Sequence, residues 1–256
     1  MRYMGNKSRL AKYILPIVLD GRNPEQYYVE PFCGSCGMMQ YVDGNRIASD
    51  SNKYLMAMHI AISDGWIPPS FISESDYYAI KSNKENYPMY LVGFVGFGCS
   101  YGGRWFEGYA RGGQNSNGTN RNYCLESRNS LLVQSKSLAN VSFFCATYES
   151  LNIPPKSIIY CDPPYQDTKQ YKDKFDHVTF WDWARQMHGQ GHSVFVSEYN
   201  APADFTAVWE KTVNSSLTKD TGAKQNTEKL FTLSNYTVLQ LKKKTKPGKK
   251  IHQREK

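Results

Sequence analysis

The chain has 256 residues and a formal charge of +8 at pH 7. A chain of this length can bury a substantial core as one domain, with or without an inserted module. The N-terminus has no apolar signal core, and no apolar run reaches the roughly 20 residues that span a bilayer. We therefore expect a protein without a membrane partner in a reducing cytoplasm.

The positive charge is concentrated at the C-terminus. Residues 241–256 contain eight Lys or Arg and one acid, which leaves 23 basic and 22 acidic residues in the rest of the chain. Net charge thus predicts nonspecific, salt-dependent attraction to phosphates only for this tail, which we expect to be disordered. The alternative is a tail that only keeps the protein in solution.

The cysteines and histidines do not predict a metal site. Of the six cysteines only Cys33 and Cys36 are close in sequence, and the five histidines show no ligand spacing. Free thiols and the absence of a bound metal are the expectation.

The N-terminal part alternates helices and strands. Apolar residues recur at helical spacing over 7–19, although Pro16 falls inside this segment. Residues 27–30 have strand composition, the glycine-bearing turn 31–37 follows, and 38–42 is compatible with a helix. This is the first unit of an open α/β sheet, in which the turn after the strand forms a ligand crevice. The turn lacks the Gly-x-Gly-x-x-Gly fingerprint, so a pyrophosphate ligand is not expected.

A second unit follows directly. Residues 46–49 predict a strand that ends at Asp50, and Ser51 or Asn52 can cap a helix over 53–62. An acid here, about 20 residues after the first glycine turn, commonly accepts hydrogen bonds from two ribose hydroxyls. The alternative is that Asp50 only caps the helix.

The alternation stops between residues 65 and 140. Residues 73–86, 87–97 and 123–138 have helical character, whereas 98–122 are rich in glycine, asparagine, arginine and aromatic residues. We expect the 98–122 segment to be unable to pack a core, and it is too long for a simple connection. Arginines, aromatics and amides together suit phosphate contacts, base-edge contacts and stacking. The alternative is a flexible surface excursion.

Regular alternation resumes in the C-terminal half. The pattern predicts strands over 141–145, 157–161 and 193–197, a helix over 176–187, and closing strands over 208–216 and 230–241 separated by the polar residues 218–227.

The strand that begins at Ser157 stops abruptly at Asp162-Pro163-Pro164-Tyr165. Two consecutive prolines lack N–H donors, so the carbonyl groups of Asp162 and Pro163 stay available to a ligand. With the Asp162 carboxylate and the flat Tyr165 ring, the loop suits a planar ring that carries an amino group, such as a nucleobase. The alternative is a proline turn with a surface acid.

These segments together resemble the Dam-type, alpha-group DNA adenine methyltransferases. The resemblance is carried by 28–37, Asp50 and 162–165, and it extends to the segments 3–7, 195–200 and 228–230. The family transfers a methyl group from S-adenosylmethionine to the N6 amine of adenine and leaves S-adenosylhomocysteine. Cofactor loop, long insertion and catalytic loop stand in the order of the alpha group.

The resemblance also implies the roles of individual residues. Asp162 and Pro163 would accept the two N–H groups of the adenine amine, and Tyr165 would stack on the base. The residues implied to bind the cofactor are Tyr3, Lys7, Glu30, Pro31, Phe32, Gly34, Gly37, Asp50, Tyr148 and Asp162. Those implied to bind DNA are Arg104, Arg111, Asn120 and Arg121.

The implied fold is an α/β, Rossmann-like methyltransferase sheet with helices on both faces, formed by 1–64 and 141–240. Residues 65–140 would be an inserted target-recognition module, mostly helical and loop-like, and 241–256 the tail. The implied enzyme is bacterial or phage-encoded and acts in the cytoplasm on double-stranded DNA. Its target base must be flipped out of the duplex, and a cognate restriction endonuclease is a candidate partner.

Two other interpretations remain open. RNA adenine and protein glutamine methyltransferases use a similar loop, but those acting on glutamine usually begin it with Asn after a shorter gap. Here Asp162 lies 132 positions after Glu30, which argues against them. A catalytically silent DNA-binding protein on the same scaffold is the other interpretation, and the intact Asp-Pro-Pro-Tyr loop argues against it.

Overall fold

The structure of the protein, a computed structural model, describes residues 1–114, 118, 120–166, 175–215 and 224–233. The C-terminal tail, for which the sequence predicts disorder, lies outside the described residues.

The described strands form one mixed, seven-stranded sheet. Its order is β3 (Val141–Cys145), β2 (Arg46–Asp50), β1 (Tyr28–Glu30), β4 (Ile158–Cys161), β5 (Ser193–Glu198), β7 (Lys224–Leu233) and β6 (Phe205–Ser215). The first five strands are parallel, and β7 runs antiparallel to both β5 and β6. The strand order reverses between β1 and β4, where open α/β sheets bind their ligands.

The helices are shorter than the sequence pattern predicts at several places. They are α1 (Ala11–Val18), α2 (Lys53–Ser63), α3 (Glu74–Ser82), α4 (Met89–Gly93), α5 (Tyr123–Ser137) and α6 (His177–Gly189). A π-helical turn, Phe94–Gly98, extends α4, and the segment after the first glycine turn forms only a 3₁₀ turn, Met39–Tyr41. Pro16 lies inside α1, which has eight residues.

Helices cover both faces of the sheet. Successive side chains of a strand point to opposite faces, so Tyr28 packs in the core that contains Ile14 of α1. Val29 and Ile159 face the other way and pack against Phe180 of α6. The predicted fold class, an α/β Rossmann-like sheet with helices on both faces, is confirmed.

The 98–122 segment packs a core, so the expectation that it could not was wrong. Phe106 is buried and joins Leu55 of α2, Tyr77 of α3 and Leu131 of α5 in a third hydrophobic cluster. Its glycines permit close approach of the backbone. A Cβ on Gly112 would lie 1.9 Å from the carbonyl oxygen of Arg121, which leaves no room for a side chain. The predicted domain boundaries stay a prediction, because this cluster includes α2 as well as the insertion.

The closing strands begin earlier in the chain than predicted. Strand β6 starts at Phe205, and β7 starts at Lys224, inside the segment predicted to be a polar connection. The reason is that an outer antiparallel pair can face water on one side, so its strands need not be apolar. Residues 234–241, predicted to continue the last strand, lie outside the described part of the chain.

Replacement of Gly93 by Ala should destabilise the fold by about 2 kcal/mol, because it overpacks the contact between α4 and α2. The added Cβ would lie 2.1 Å from the carbonyl oxygen of Tyr54 and would force the two helices apart. Denaturant unfolding measures the loss. Gly189→Ala on α6 is the control, since its Cβ meets nothing within 4 Å, and it should leave stability unchanged or slightly higher. If Gly93→Ala and Gly189→Ala were equally stable, the close contact between α4 and α2 would not limit stability.

Candidate active site

The catalytic loop predicted from the sequence begins where β4 ends. Strand β4 is buried between β1 and β5, and residues 162–165 follow without regular secondary structure. Pro163 and Pro164 cannot donate hydrogen bonds to a ladder, so the strand ends at Cys161. Asp162 therefore lies at the carboxyl edge of the sheet, where Glu30 ends β1 and Glu198 ends β5.

Four residues from three separate segments of the chain form one group, here called the Lys7 cluster: Lys7, Asp162, Tyr165 and Glu228. The Lys7 Nζ atom lies 3.1 Å from Glu228 Oε2 and 3.5 Å from Asp162 Oδ1. It also lies 4.4 Å from the centroid of the Tyr165 ring. The Tyr165 hydroxyl donates to the same Glu228 oxygen over 2.7 Å. The cluster thus joins the N-terminal loop, the catalytic loop and β7.

The cluster is largely shielded from solvent, which shifts its titration. The side chains of Lys7, Glu228 and Asp162 are 10%, 11% and 20% exposed. Burial raises the pKa of Asp162 to about 6, although the Lys7 ammonium opposes the rise. Burial alone would lower the pKa of Lys7, but Asp162 and Glu228 outweigh it and raise that pKa. At pH 7 and above, Lys7 is therefore an ammonium and Asp162 is mostly a carboxylate.

Glu198 holds the catalytic loop from the side of β5. Its Oε2 accepts from the N–H of Gln166 over 3.1 Å, and its Oε1 accepts from the N–H of Tyr199 over 2.7 Å. Burial raises the pKa of Glu198 to about 7, against the effect of these hydrogen bonds. The Tyr199 ring packs edge-to-face with Tyr165 at 4.7 Å between centroids. Sequence reasoning gave Glu198 no role, although an acid at the end of a buried strand was a usable signal.

The turn after β1 is tied to the end of β2 by Asp50. Gly34 adopts a φ of 48°, and its N–H donates to Asp50 Oδ2 over 3.1 Å. Asp50 Oδ1 accepts from the N–H of Asn52 over 2.9 Å, and the Asn52 side chain caps α2. The alternative that Asp50 itself caps the helix is therefore wrong. Each Asp50 oxygen keeps a lone pair with which it can accept from a further donor.

The N-terminal loop, residues 3–7, lies against this turn. A Cβ on Gly34 would lie 3.0 Å from the Tyr3 ring, and one on Gly37 would lie 2.6 Å from Asn6 Oδ1. Asn6 also donates to the hydroxyl of Ser35 over 2.9 Å. Because Asn6 contacts this turn and Lys7 contacts Asp162, the N-terminal loop connects the predicted cofactor and catalytic segments.

Three further predicted cofactor residues are more deeply placed. Glu30 is 3% exposed, and its Oε1 has no hydrogen-bond partner among the described residues. Burial, with Cys36 as the next cause, raises the pKa of Glu30 well above its ordinary value. Phe32 contacts Tyr148, which is buried and packs against Trp183 of α6. Pro31, next to Glu30, is also buried, and the roles of these residues toward a cofactor stay predictions.

Two of the four predicted DNA contacts are paired with acids of the protein itself. Arg111 donates to Glu74 over 3.0 Å from its Nε, and Arg121 donates to Glu126 over 2.7 Å. Asn120 forms an isolated β-bridge with residue 114 at an exposed position.

The fourth predicted contact, Arg104, follows a close approach of the insertion to the N-terminal loop. Gly103 adopts a φ of 68°, and a Cβ there would lie 2.5 Å from the backbone of Arg2. The Met4 N–H donates to the Gly103 carbonyl over 3.4 Å. The insertion therefore contacts the same loop that carries Lys7 into the site.

Metal-binding groups, membrane-spanning helices and cavities are further features that bear on the function of the described chain. No three His, Cys, Asp or Glu side chains within it are placed to hold a metal ion. The described helices include none that is both long and apolar enough to cross a bilayer. A cavity of about 930 Å³ lies along α1 and includes no member of the Lys7 cluster in its lining.

Comparison with known proteins addresses the resemblance. Residues 3–93 match the model of the D12 class N6 adenine-specific DNA methyltransferase family. The resemblance is confirmed. The match covers well under half of the chain, so the enzyme class, an adenine-specific DNA methyltransferase, is a proposal. The matched range includes the N-terminal loop, the turn after β1 and Asp50, and it ends before the catalytic loop. The Lys7 cluster is the candidate catalytic centre, because it holds the acid and the ring of that loop.

The other comparisons are weaker. A search of curated proteins finds no match to the sequence. Among solved structures, the chain is similar to SMU.472, a protein assigned as a methyltransferase and solved with SAH, at 11% identity and a TM-score of 0.35. The alignment covers 90% of this chain and 52% of that chain, so this chain spans about half of that protein's length.

Proposed function

We propose that the protein transfers a methyl group from S-adenosylmethionine to the N6 amine of an adenine flipped out of duplex DNA. The observation that carries this proposal is the Lys7 cluster, in which a shielded Asp162 carboxylate and the Tyr165 ring flank a proline pair at the sheet edge. The match of residues 3–93 to an adenine-specific DNA methyltransferase family supports the choice of acceptor.

The chain's contribution to catalysis is to orient the amine. S-adenosylmethionine supplies a methyl group that is already activated by a positively charged sulfur. Asp162, mostly ionised above its pKa of about 6, would accept one N–H of the amine, and the Pro163 carbonyl would accept the other. These contacts favour a pyramidal nitrogen whose lone pair points at the methyl carbon. Such positioning can contribute roughly 7 kcal/mol or more to the rate.

The residues around the turn after β1 fit this cofactor. Asp50 has acceptor capacity left for ribose hydroxyls, the Tyr3 ring lies against Gly34, and Lys7 lies beside Asp162. The Glu30 Oε1 is a buried acceptor without a hydrogen-bond partner among the described residues. The residues proposed to hold the cofactor are Tyr3, Lys7, Glu30, Pro31, Phe32, Gly34, Gly37, Asp50, Tyr148 and Asp162.

Duplex DNA is the proposed partner, and its target base would have to rotate out of the duplex to reach Asp162. Arg104, Arg111, Asn120 and Arg121 are the proposed contacts. The Arg111 side chain is 73% exposed in its ion pair with Glu74. Exposed ion pairs contribute little stability, so Arg111 can leave Glu74 and bind a DNA phosphate at little cost in free energy. A catalytic domain of 1–64 and 141–240, an inserted recognition module, a location in the cytoplasm and a cognate restriction endonuclease remain part of the proposal.

The test uses the full chain, tritiated S-adenosylmethionine and three acceptors: adenine-unmethylated plasmid DNA, RNA of the same sequence, and a glutamine-containing protein. We expect label in the DNA alone, recovered as N6-methyladenine after digestion to nucleosides. Label in RNA or protein instead would show that the acceptor is wrong. Absence of label from all three would leave only the DNA-binding interpretation.

A further inference from the structure

Glu228 received no role in the site from the sequence, yet it contacts two members of the catalytic centre. It lies on β7, beside β5 and the catalytic loop. Its Oε2 accepts hydrogen bonds from the Lys7 ammonium and from the Tyr165 hydroxyl. Building on the function proposed above, we propose that Glu228 is a positioning residue for methyl transfer, which holds Lys7 and Tyr165 so that the Asp162 carboxylate stays available to the target amine.

The distances indicate which carboxylate holds the ammonium more closely. The Lys7 Nζ atom is 3.1 Å from Glu228 and 3.5 Å from Asp162. An ammonium has three donors, and without the Glu228 charge it would turn to Asp162 and occupy the lone pairs that the amine needs. Glu228 prevents this by providing the nearer partner.

The count of charges leads to the same conclusion. Lys7 contributes one positive charge to the cluster, whereas Asp162 and Glu228 together contribute two negative charges. One carboxylate is therefore not neutralised inside the cluster. Glu228 Oε2 accepts from both the Lys7 ammonium and the Tyr165 hydroxyl. Both groups also interact with Asp162, but its two oxygens have more lone pairs than these contacts use, so Asp162 keeps acceptor capacity for an amine.

Tyr165 is positioned by the same contact. Its hydroxyl is anchored on Glu228 over 2.7 Å, and the Lys7 ammonium lies 4.4 Å from its ring centroid. A phenol held at its hydroxyl cannot tilt freely about the loop. Glu228 therefore fixes the orientation of the ring that is proposed to stack on the base.

Several ionisable groups in the described chain face Asp162. Its own strand and loop contribute Tyr160, Cys161 and Tyr165, and other elements contribute Lys7, Glu30, Glu198 and Glu228. Burial raises the pKa values of the two phenols and the thiol well above their ordinary values, so these groups are neutral near pH 6. Burial also raises the pKa of Glu30 well above its ordinary value. Glu198, whose pKa burial raises to about 7, also titrates close to Asp162.

The test is Glu228→Gln, which keeps the size of the side chain and removes its charge. With unmethylated duplex DNA we expect kcat to fall at least about 10-fold while the KM for S-adenosylmethionine changes less than about 3-fold. The acidic limb of the kcat profile should move to lower pH, because Glu228 adds to the rise in the pKa of Asp162 and the variant lacks this repulsion. An unchanged kcat, or a lower kcat with an unmoved acidic limb, would overturn the proposal.

The matched control is Glu210→Gln on β6, an exposed acid that pairs across the ladder with Lys229. It removes one charge from the same sheet and should keep the wild-type rate and pH profile. If Glu228→Gln does not fold, Tyr165→Phe is the second variant, since it keeps the ring and removes the hydroxyl that donates to Glu228 and also interacts with Asp162. A loss in kcat of about 5-fold supports the role of Glu228, whereas a wild-type kcat overturns it.

Failure of this inference can be told apart from failure of the proposed function. Carbon NMR of the side-chain carboxyl groups follows Asp162 in the free protein, with Asp162→Asn to identify its signal. A lower titration midpoint in Glu228→Gln supports the arrangement without any assay of methyl transfer. An unchanged midpoint overturns the role of Glu228 alone, and absence of methyl transfer by the wild-type protein overturns the proposed function alone.

Discussion

Asp162→Ala is expected to abolish methyl transfer to DNA, with a fall in kcat of at least about 10²-fold, while S-adenosylmethionine still binds. The physical reason is that the substitution removes the acceptor proposed to orient the amine. Although Asp162 is also a proposed cofactor contact, the turn after β1 and Asp50 stay in place to bind the cofactor. Tritium incorporation measures the rate, and calorimetric titration measures cofactor binding.

The wild-type enzyme provides a second readout of the same group. The pKa of Asp162 is about 6, so its carboxylate is protonated as the pH falls through this value. A protonated carboxyl loses acceptor capacity, and kcat should therefore decline below about pH 6. Asp64→Ala, at the exposed end of α2, is the control and should retain wild-type activity. Methylation by Asp162→Ala at an ordinary rate would show that the mechanism is wrong.

Lys7→Met is expected to lower the free energy of unfolding at pH 8 by about 3 to 5 kcal/mol, because it leaves two shielded carboxylates without their shared cation. Denaturant unfolding at several pH values measures the effect. Lys12→Met, on the exposed side of α1, is the control and should change stability by less than about 0.5 kcal/mol.

The titration of Asp162 decides how the loss of stability in Lys7→Met depends on pH. Its folded pKa, about 6, lies above the ordinary value of 3.8, so its ionisation costs stability as the pH rises through this interval. Lys7 opposes that rise in pKa, and its removal enlarges the loss. The difference in the free energy of unfolding between Lys7→Met and wild type should therefore be smaller at pH 5, where Asp162 is protonated. An equal difference at pH 5 and pH 8 would mean that lost packing, not unpaired charge, destabilises the variant.

The five parallel strands of the sheet were predictable from the sequence, whereas the start of the antiparallel edge pair, β7 and β6, was not. Strands β1 to β5 lie within one or two residues of their predicted positions, since buried parallel strands are short apolar runs bounded by turn residues. Strand β7 begins six residues before its predicted start, because it carries polar residues in an antiparallel pair with β6. Local hydrophobicity does not detect strands of that kind.

The insertion shows a different limit. Its glycines and polar residues indicated a segment without a core, yet Phe106 and Cys99 are buried among α2, α3 and α5. Composition reports what a segment contains and not which of its side chains turn inward. The same limit applies to Arg111 and Arg121, because their acidic partners Glu74 and Glu126 become visible only after the helices are placed.

The sequence by itself determined the loop that is proposed to carry the chemistry, the turn after β1 and the acid at the end of β2. Each of these is a local feature, since proline, glycine and a strand-ending acid act through the backbone beside them. Only the tertiary structure decided which groups set the charge of the site. Lys7 and Glu228 are 221 positions apart, and they meet because β7 enters the sheet antiparallel between β5 and β6. No local pattern encodes that placement, because it depends on how the whole sheet is ordered.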